Sequence, residues 1–205
     1  QIGVKLPFRK KSSFIFIPVS DFIIYEITKE EQLRLYYKTI IKTEIMGKLN
    51  MKEWISQTIQ RKETIAIPIM THPGIEFIGK TVHDAVTNGQ VHYEAIKALC
   101  DKYPAAAATV IMDLTVEAEA FGAEIIFPEN EVPSVSGRLL ADEAAIEKLE
   151  VPALNKGRIP EYLKANMLTA RNVTDRPVFA GCIGPYSLAG RLYDMSEIMM
   201  LIYIN

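Results

Sequence analysis

Short apolar runs alternate with segments of helical periodicity over most of this chain, and this alternation constrains the fold more than any other feature. The apolar runs are TIAIPIM (64–70), AAAATVIMD (105–113), AEIIFPE (123–129) and RPVFAGCIGP (176–185). Helical patterns occupy residues 51–62, 81–103, 117–122, 141–150 and 159–173. Strands that alternate with helices predict βαβ units and a parallel sheet, so we expect an α/β fold with four parallel strands.

Local signals mark the ends of several of these helices. Asn50 is a predicted N-cap, and Asn88-Gly89 is predicted to break the long helical stretch that contains it. Gly122 suits the end of a short helix, and Pro160 suits the start of another. Residues 186–205 are predicted to continue as one helix to the end of the chain, where an apolar stretch without a cap indicates a truncated domain.

The first fifty residues differ in composition from the remainder. They hold nine Lys and Arg against five Asp and Glu, a formal charge of +4, and they contain no alanine. Two interpretations follow: a basic arm that touches a partner or a membrane surface, or sequence outside the natural reading frame, with the true start near Met51. We therefore expect residues 1–49 to form an atypical N-terminal extension and residues 50–205 to form the domain.

Charge, cysteine content and hydropathy exclude several classes of function for the 205 residues. A net charge of −2 gives no electrostatic reason to expect a nucleic-acid partner. Cys100 and Cys182 form no pair motif, and no secretory signal is recognisable, so we expect a cytoplasmic protein. No apolar run approaches the roughly 18 residues that a spanning helix needs, so we expect no membrane segment.

Polar residues follow the predicted strands at the edge where parallel α/β folds place their sites. Asp113 closes the second apolar run, and a partly desolvated acid there can bind or orient a ligand group. It could equally cap the following helix, and the two roles are compatible. His72 lies in THPG, a predicted turn, where it is a candidate ligand contact or a polar loop residue; Tyr186 follows the fourth strand. Glu119 is predicted to be solvated.

Two other motifs carry weaker signals. AGCIGPYSLAG (180–190) places glycines between a strand and a helix, as phosphate loops do, but it lacks G-x-G-x-x-G and a P-loop lysine. It also fits a tight strand-to-helix turn. His83 and His92 lie nine positions apart, and no His or Cys spacing in the chain supports a zinc site, so we expect no metal ligands here.

Three stretches in this order carry a family resemblance: IPIMTHPG, then ATVIMDLTVEAEAFGAEIIFPENEVPSV, then RPVFAGCIGPYSLAGRL. Together they resemble the uroporphyrinogen decarboxylase superfamily, and in particular its branch of cobalamin-dependent methyltransferases, such as methylcobalamin:coenzyme M methyltransferases. The match runs from about Met51 to Asn205. It covers roughly the first half of the family's domain.

The resemblance implies the N-terminal portion of a truncated (β/α)8 barrel whose cleft holds a tetrapyrrole or a methylcorrinoid donor. Asp113 falls where the decarboxylases keep the aspartate that binds pyrrole nitrogens. His72, Glu117, Tyr186 and Arg191 are the expected substrate-binding residues. The implied partners are a corrinoid protein or a tetrapyrrole-type small molecule. From the chain itself we expect poor solubility or a homodimer, formed through the open sheet edge or through the apolar IMMLIYIN helix.

Departures from the family pattern favour the methyltransferase branch. Decarboxylases carry an arginine-bearing stretch after the first strand, whereas this chain reads IMTHPGIEF, and their later tyrosine is replaced by Arg191. A polycarboxylate substrate would therefore lack its cationic clamp. In the methyltransferase branch zinc activates a thiol, with ligands expected beyond Asn205. We expect transfer of a methyl group from a corrinoid to a thiol by the complete protein and no activity from this fragment; the alternatives are uroporphyrinogen decarboxylase or a non-catalytic half-barrel remnant.

Overall fold

Helices and short strands alternate along the part of the chain that the computed structural model describes, residues 49–69 and 71–204. The predictions for residues 1–48 lie outside this part. The helices are α1 (Met51–Gln60), α2 (His72–Phe77), α3 (Val82–Thr87), α4 (Gly89–Lys102), α5 (Val116–Phe121), α6 (Glu143–Glu147), α7 (Ile159–Asn172), α8 (Pro185–Leu192) and α9 (Met195–Ile204). The strands are β1 (Ala108–Thr109), β2 (Glu124–Ile126), β3 (Ser134–Ser136) and β4 (Val178–Phe179). The predicted α/β class is confirmed.

The chain divides into two units, Gln1–Arg61 and Lys62–Asn205. In the first unit, α1 begins at Asn50, whose Oδ1 accepts a hydrogen bond from the backbone N–H of Glu53 at 3.2 Å. The predicted N-cap is therefore confirmed. All other elements belong to the second unit.

Only one of the predicted parallel strand pairings is present in the described residues. β1 and β4 are parallel, with Ala108 opposite Val178 and Thr109 opposite Phe179. The predicted third strand exists as β2, but it pairs antiparallel with β3, which the sequence analysis did not predict. This placement was wrong because β3 follows β2 after a short loop, and a hairpin pairing needs no crossover helix.

Residues 64–70 were predicted as a strand, and this is wrong for the described residues 64–69. The segment runs beside the chain leading into β1: the carbonyl of Ala66 accepts from the N–H of Ala106 at 3.0 Å, and that of Pro68 accepts from Thr109 Oγ1 at 3.3 Å. Pro68 has no N–H to extend a ladder, which explains the irregular pairing. The predicted THPG turn is instead the start of α2, because Pro73 fits the first helical turn.

The long helical stretch breaks where predicted, between α3 and α4. Asn88 has an extended backbone, and its side chain accepts from the N–H groups of Gln90 and Val91, so it caps α4. Gly122 ends α5 with a left-handed φ of 105°, also as predicted. The final stretch is not one helix, because α8 and α9 are separated at Tyr193 and Asp194.

Helices α4 and α7 pack closely against each other and against the parallel strand pair. Ile96 of α4, Ala108 and Val110 at β1, and Val173 and Val178 near β4 form one buried apolar cluster. A second cluster joins α2, α3 and α4, and a third lies around α5, β2 and α8. The carboxyl ends of β1 and β4 therefore lie beside α4, α5 and α7.

Candidate ligand-binding site

The chain turns sharply at Asp113, four residues after β1. Asp113 Oδ1 accepts hydrogen bonds from the backbone N–H of Thr115 at 2.9 Å and from Thr115 Oγ1 at 2.6 Å. These bonds form a side-chain turn that leads into α5, whose N-cap residue is Thr115 rather than Asp113. The acid therefore shapes the entry to the helix while lying buried at the end of the strand.

The second carboxylate oxygen of Asp113 contacts two residues that sequence analysis missed. Arg158 Nη1 donates to Asp113 Oδ2 at 2.5 Å, and the hydroxyl of Tyr162 donates to the same oxygen at 3.1 Å. Arg158 precedes α7, and Tyr162 lies in its first turn. The start of α7, which is distant along the chain, therefore packs against the carboxylate of Asp113.

Arg158 uses its remaining donors within the same group of residues. Its Nε donates to Glu119 Oε2 at 2.6 Å, and its Nη2 donates to Thr115 Oγ1 at 2.7 Å. Glu119 was predicted to be solvated, and this is wrong, since α5 turns its side chain toward Arg158. We call Asp113, Thr115, Glu119, Arg158 and Tyr162 the Arg158 cluster.

Charge and burial act together on the ionisable groups of the Arg158 cluster. Burial on its own would lower the pKa of Arg158, but the charge and hydrogen bonds of Asp113 and Glu119 outweigh it and raise this pKa. Burial raises the pKa of Tyr162, and the negative charge of Asp113 raises it further. At neutral pH the cluster therefore holds a charged guanidinium and a neutral phenol.

His92 supports the Arg158 cluster from α4. Its Nε2 accepts from the backbone N–H of Ile111 at 2.9 Å, and its ring meets that of Tyr162 edge-on, with 5.0 Å between the ring centres. Burial lowers the pKa of His92 to about 4, so the ring is neutral and carries its hydrogen on Nδ1. The neutral imidazole fixes both the chain after β1 and the plane of the tyrosine ring.

Glu117 links α5 to the loop that follows β4. Its Oε1 accepts from the backbone N–H of Ile183 at 3.0 Å, and its side chain is half-buried. Asp113 and Glu117 thus organise the two loops that leave the carboxyl ends of β1 and β4. Of the predicted substrate-binding residues, Glu117 lies nearest to Asp113 along the chain.

The other predicted site residues are not joined to Asp113 in the structure. His72 begins α2 and is exposed, Tyr186 is 49% exposed in the first turn of α8, and Arg191 is exposed in the last turn of that helix. Within the described residues, no hydrogen bond or ion pair connects these three side chains to the Arg158 cluster. Their roles, like the catalytic role of Asp113, stay predictions.

One sequence signal could have pointed to Arg158. A positive charge directly before a helix lies at the end where the helix dipole is unfavourable for cations. A cation at that place therefore suggests a carboxylate partner, although the sequence does not say which one. Tyr162 has no comparable signal, since a tyrosine within an amphipathic helix is most often a packing residue.

Comparison with known proteins decides the family. The family model of uroporphyrinogen decarboxylase matches residues 52–205. The chain belongs to the uroporphyrinogen decarboxylase family. A search of curated proteins finds no match.

Within the uroporphyrinogen decarboxylase family, the structure supports the methyltransferase-like resemblance seen in the sequence. It is similar to a solved methyltransferase from Methanosarcina mazei, with 26% sequence identity and a TM-score of 0.61. The similarity covers 68% of this chain and 43% of the methyltransferase chain, so this chain spans less than half of that protein's length.

The described residues of this uroporphyrinogen decarboxylase family member offer no fit for the zinc ion that the resemblance implies. No group of three or more His, Cys, Asp or Glu side chains in residues 49–69 and 71–204 is arranged to hold a metal ion. Cys100 and Cys182 are separate free thiols. Over the same residues, no helix has the length and apolar character needed to cross a membrane.

Proposed function

We propose that this chain forms part of the cleft of a corrinoid-dependent methyltransferase that transfers a methyl group to a thiol. The observation that carries the proposal is the similarity to the Methanosarcina mazei methyltransferase, at 26% identity over 68% of this chain. In this proposal the partner is a corrinoid protein or a free methylcorrinoid. Any zinc that activates the thiol would need ligands from outside the described residues.

The distribution of cations supports a methyltransferase over a decarboxylase. Residues 68–77 contain no arginine or lysine, and His72 is the only histidine among them. The buried cation beside the strand ends, Arg158, is already paired with Asp113 and Glu119. A substrate that carries many carboxylates would therefore meet no free cation at these places, whereas a corrinoid and a thiol do not require such a clamp.

Uroporphyrinogen decarboxylase is the second candidate, because the family model that matches residues 52–205 bears that name. Its substrate would need cationic contacts supplied by Arg191 or by other parts of the protein. A non-catalytic half-barrel remnant is the third interpretation, in which the fold is retained without the reaction.

For the fold, we propose that residues 50–205 form the N-terminal half of a (β/α)8 barrel and that residues 1–49 are an extension to it. Asp113 is the acid around which the proposed site is organised, and His72, Glu117, Tyr186 and Arg191 are proposed ligand contacts. In such barrels catalytic groups converge from the ends of many strands. We therefore expect the 205-residue chain to be inactive alone and to associate through its open sheet edge.

The test compares two purified proteins: the 205-residue chain, and the same chain extended by the coding sequence that flanks it. Each is mixed with methylcobalamin and 2-mercaptoethanesulfonate, and loss of methylcobalamin absorbance is followed together with thioether formation. A parallel assay supplies uroporphyrinogen and measures coproporphyrinogen. We expect methyl transfer by the extended protein only. Conversion of uroporphyrinogen to coproporphyrinogen, without methyl transfer, would contradict the proposal, and turnover by the 205-residue monomer would contradict the half-barrel.

A further inference from the structure

The carboxylate of Asp113 has its hydrogen-bonding capacity filled by the protein itself. A carboxylate offers about four acceptor positions on its two oxygens. Oδ1 accepts from the N–H and the hydroxyl of Thr115, and Oδ2 accepts from Arg158 and Tyr162. Its side chain is 1% exposed. Asp113 therefore has neither a vacant acceptor position nor a surface to offer a ligand in this arrangement.

The hydrogen-bond donors of Arg158 are likewise used by contacts within the protein. Its guanidinium donates to two carboxylates, to the hydroxyl of Thr115 and, at 3.4 Å, to the carbonyl of Val86. It also lies 4.7 Å from the ring centre of Phe127. A planar cation held on every side in this way fixes the direction of the carboxylate that it pairs with.

Tyr162 differs from these two residues because it is only partly buried and its oxygen retains capacity. Its single hydroxyl hydrogen is donated to Asp113 Oδ2. The lone pairs of the phenol oxygen then remain available to accept a hydrogen bond. Glu119 also reaches the surface, but its Oε2 accepts from Arg158 Nε and its side chain lies against the backbone turn at Gly157.

We propose that Arg158 and Asp113 are positioning residues, and that the hydroxyl oxygen of Tyr162 is the atom of the Arg158 cluster that accepts a hydrogen bond from the ligand. The ligand class is one with N–H or O–H donors, such as the amide groups at the edge of a corrinoid. The ligand class rests on the proposed function, whereas the positioning of Tyr162 by Arg158 and Asp113 does not. The edge-on ring of His92 keeps the phenol in one orientation.

The positioning part is tested by NMR on the 205-residue chain with ¹³C-labelled tyrosine rings. The signal of Tyr162 is the one that disappears in Tyr162→Phe. We expect Arg158→Gln to displace this signal and Arg158→Lys to displace it less, while Arg138→Gln leaves it in place. An unmoved Tyr162 signal in folded Arg158→Gln overturns the proposal.

A second variant covers the case in which Arg158→Gln does not fold. Asp113→Asn keeps the shape of the side chain. The charge of Arg158 is still neutralised in this variant, because its ion pair with Glu119 remains. Because the phenol then loses its anionic acceptor, the Tyr162 signal should move in this variant too. An unchanged signal in Asp113→Asn overturns the proposal without reference to any ligand.

The ligand contact is tested by binding of methylcobalamin to the chain extended by its flanking coding sequence, in wild-type form, with Tyr162→Phe, and with the control Tyr93→Phe, a partly buried tyrosine of α4. Loss of one hydrogen bond should weaken binding roughly three- to tenfold in Tyr162→Phe and leave it unchanged in Tyr93→Phe. Equal affinities in all three overturn the contact. No binding by wild type overturns the corrinoid function and the contact together, whereas the NMR result still decides the positioning.

Discussion

Two of the arginine–carboxylate pairs in the described residues lie in opposite surroundings. The side chains of Arg158 and Asp113 are 7% and 1% exposed, whereas those of Arg138 and Glu197 are 35% and 39% exposed. Both arginines also lie over an aromatic ring, Phe127 in the first case and Tyr193 in the second. Burial, and not the pairing itself, therefore distinguishes the Arg158 cluster from the exposed pair.

The largest effect is expected from removing the buried cation. In Arg158→Met, Asp113 and Glu119 are left without their counter-charge, and Asp113 stays buried at the strand end. Breaking a buried pair from one side typically costs about 3 to 5 kcal/mol. We expect a loss of unfolding free energy of this size, measured by urea denaturation. A loss below about 1 kcal/mol would show that the cluster is not a buried pair.

Acidification should weaken the same region through His92. Burial lowers its pKa from 6.5 to about 4. Between these pH values His92 is protonated in the unfolded chain and neutral in the folded chain. Stability is therefore complete above about pH 6.5 and is lost as the pH falls toward 4, by about 3 kcal/mol.

The control for this titration is His92→Gln, in which the amide oxygen can still accept from Ile111 but does not titrate. Urea denaturation at several pH values between 7 and 4 should give a steeper loss of stability for the wild type than for this variant. Parallel pH curves for the two proteins would contradict the assignment of the acid sensitivity to His92.

Close packing of α4 on α7 holds the cluster in place and should tolerate no added atom at Gly89. A Cβ there would lie 2.2 Å from the carbonyl oxygen of Glu161, and the N–H of Gly89 donates to the Glu161 carboxylate at 2.7 Å. Gly89→Ala should cost about 1 to 3 kcal/mol through overpacking. Gly181→Ala is the matched control, since its Cβ would have no neighbour closer than 3.8 Å. Equal melting temperatures for the two variants would be inconsistent with this packing.

The smallest effect is expected at the exposed pair. Arg138→Gln removes an ion pair whose two side chains are already in contact with solvent. Exposed pairs contribute little because water and salt screen their attraction. We expect a melting temperature that does not differ measurably from wild type, and a clear decrease would show that this surface is more ordered than its exposure indicates.

The sequence predicted the helices of this fold better than its sheet. α4 and α7 combine apolar periodicity with local signals at Asn88 and Pro160, which mark where each helix begins. The sequence could therefore predict both helices and their starting residues. β3 has only three residues, Ser134–Ser136, and is too short for its polar–apolar alternation to reveal a strand. The strand predicted at 64–70 is wrong over the described residues 64–69: the β-branched composition favoured a strand, but Pro68 has no N–H with which to extend a ladder.

The candidate site was predicted only in part, because the sequence shows local signals but not contacts between distant residues. Asp113 stood out because an acid that ends an apolar run is a local signal. Its partner Arg158 lies 45 residues further along the chain, and no spacing rule connects the two positions. Tyr162 and His92 are ordinary helix residues by pattern, and only the packing of α4 on α7 brings them together.

A pair of double-mutant cycles tests the central claim, that burial makes the Arg158–Asp113 pair the organiser of the site. One cycle combines Arg158→Met with Asp113→Asn, and the other combines Arg138→Met with Glu197→Gln, each measured by urea denaturation at pH 7. We predict a coupling free energy of about 2 kcal/mol or more for the buried pair and no detectable coupling for the exposed pair. Equal coupling in the two cycles would contradict the account.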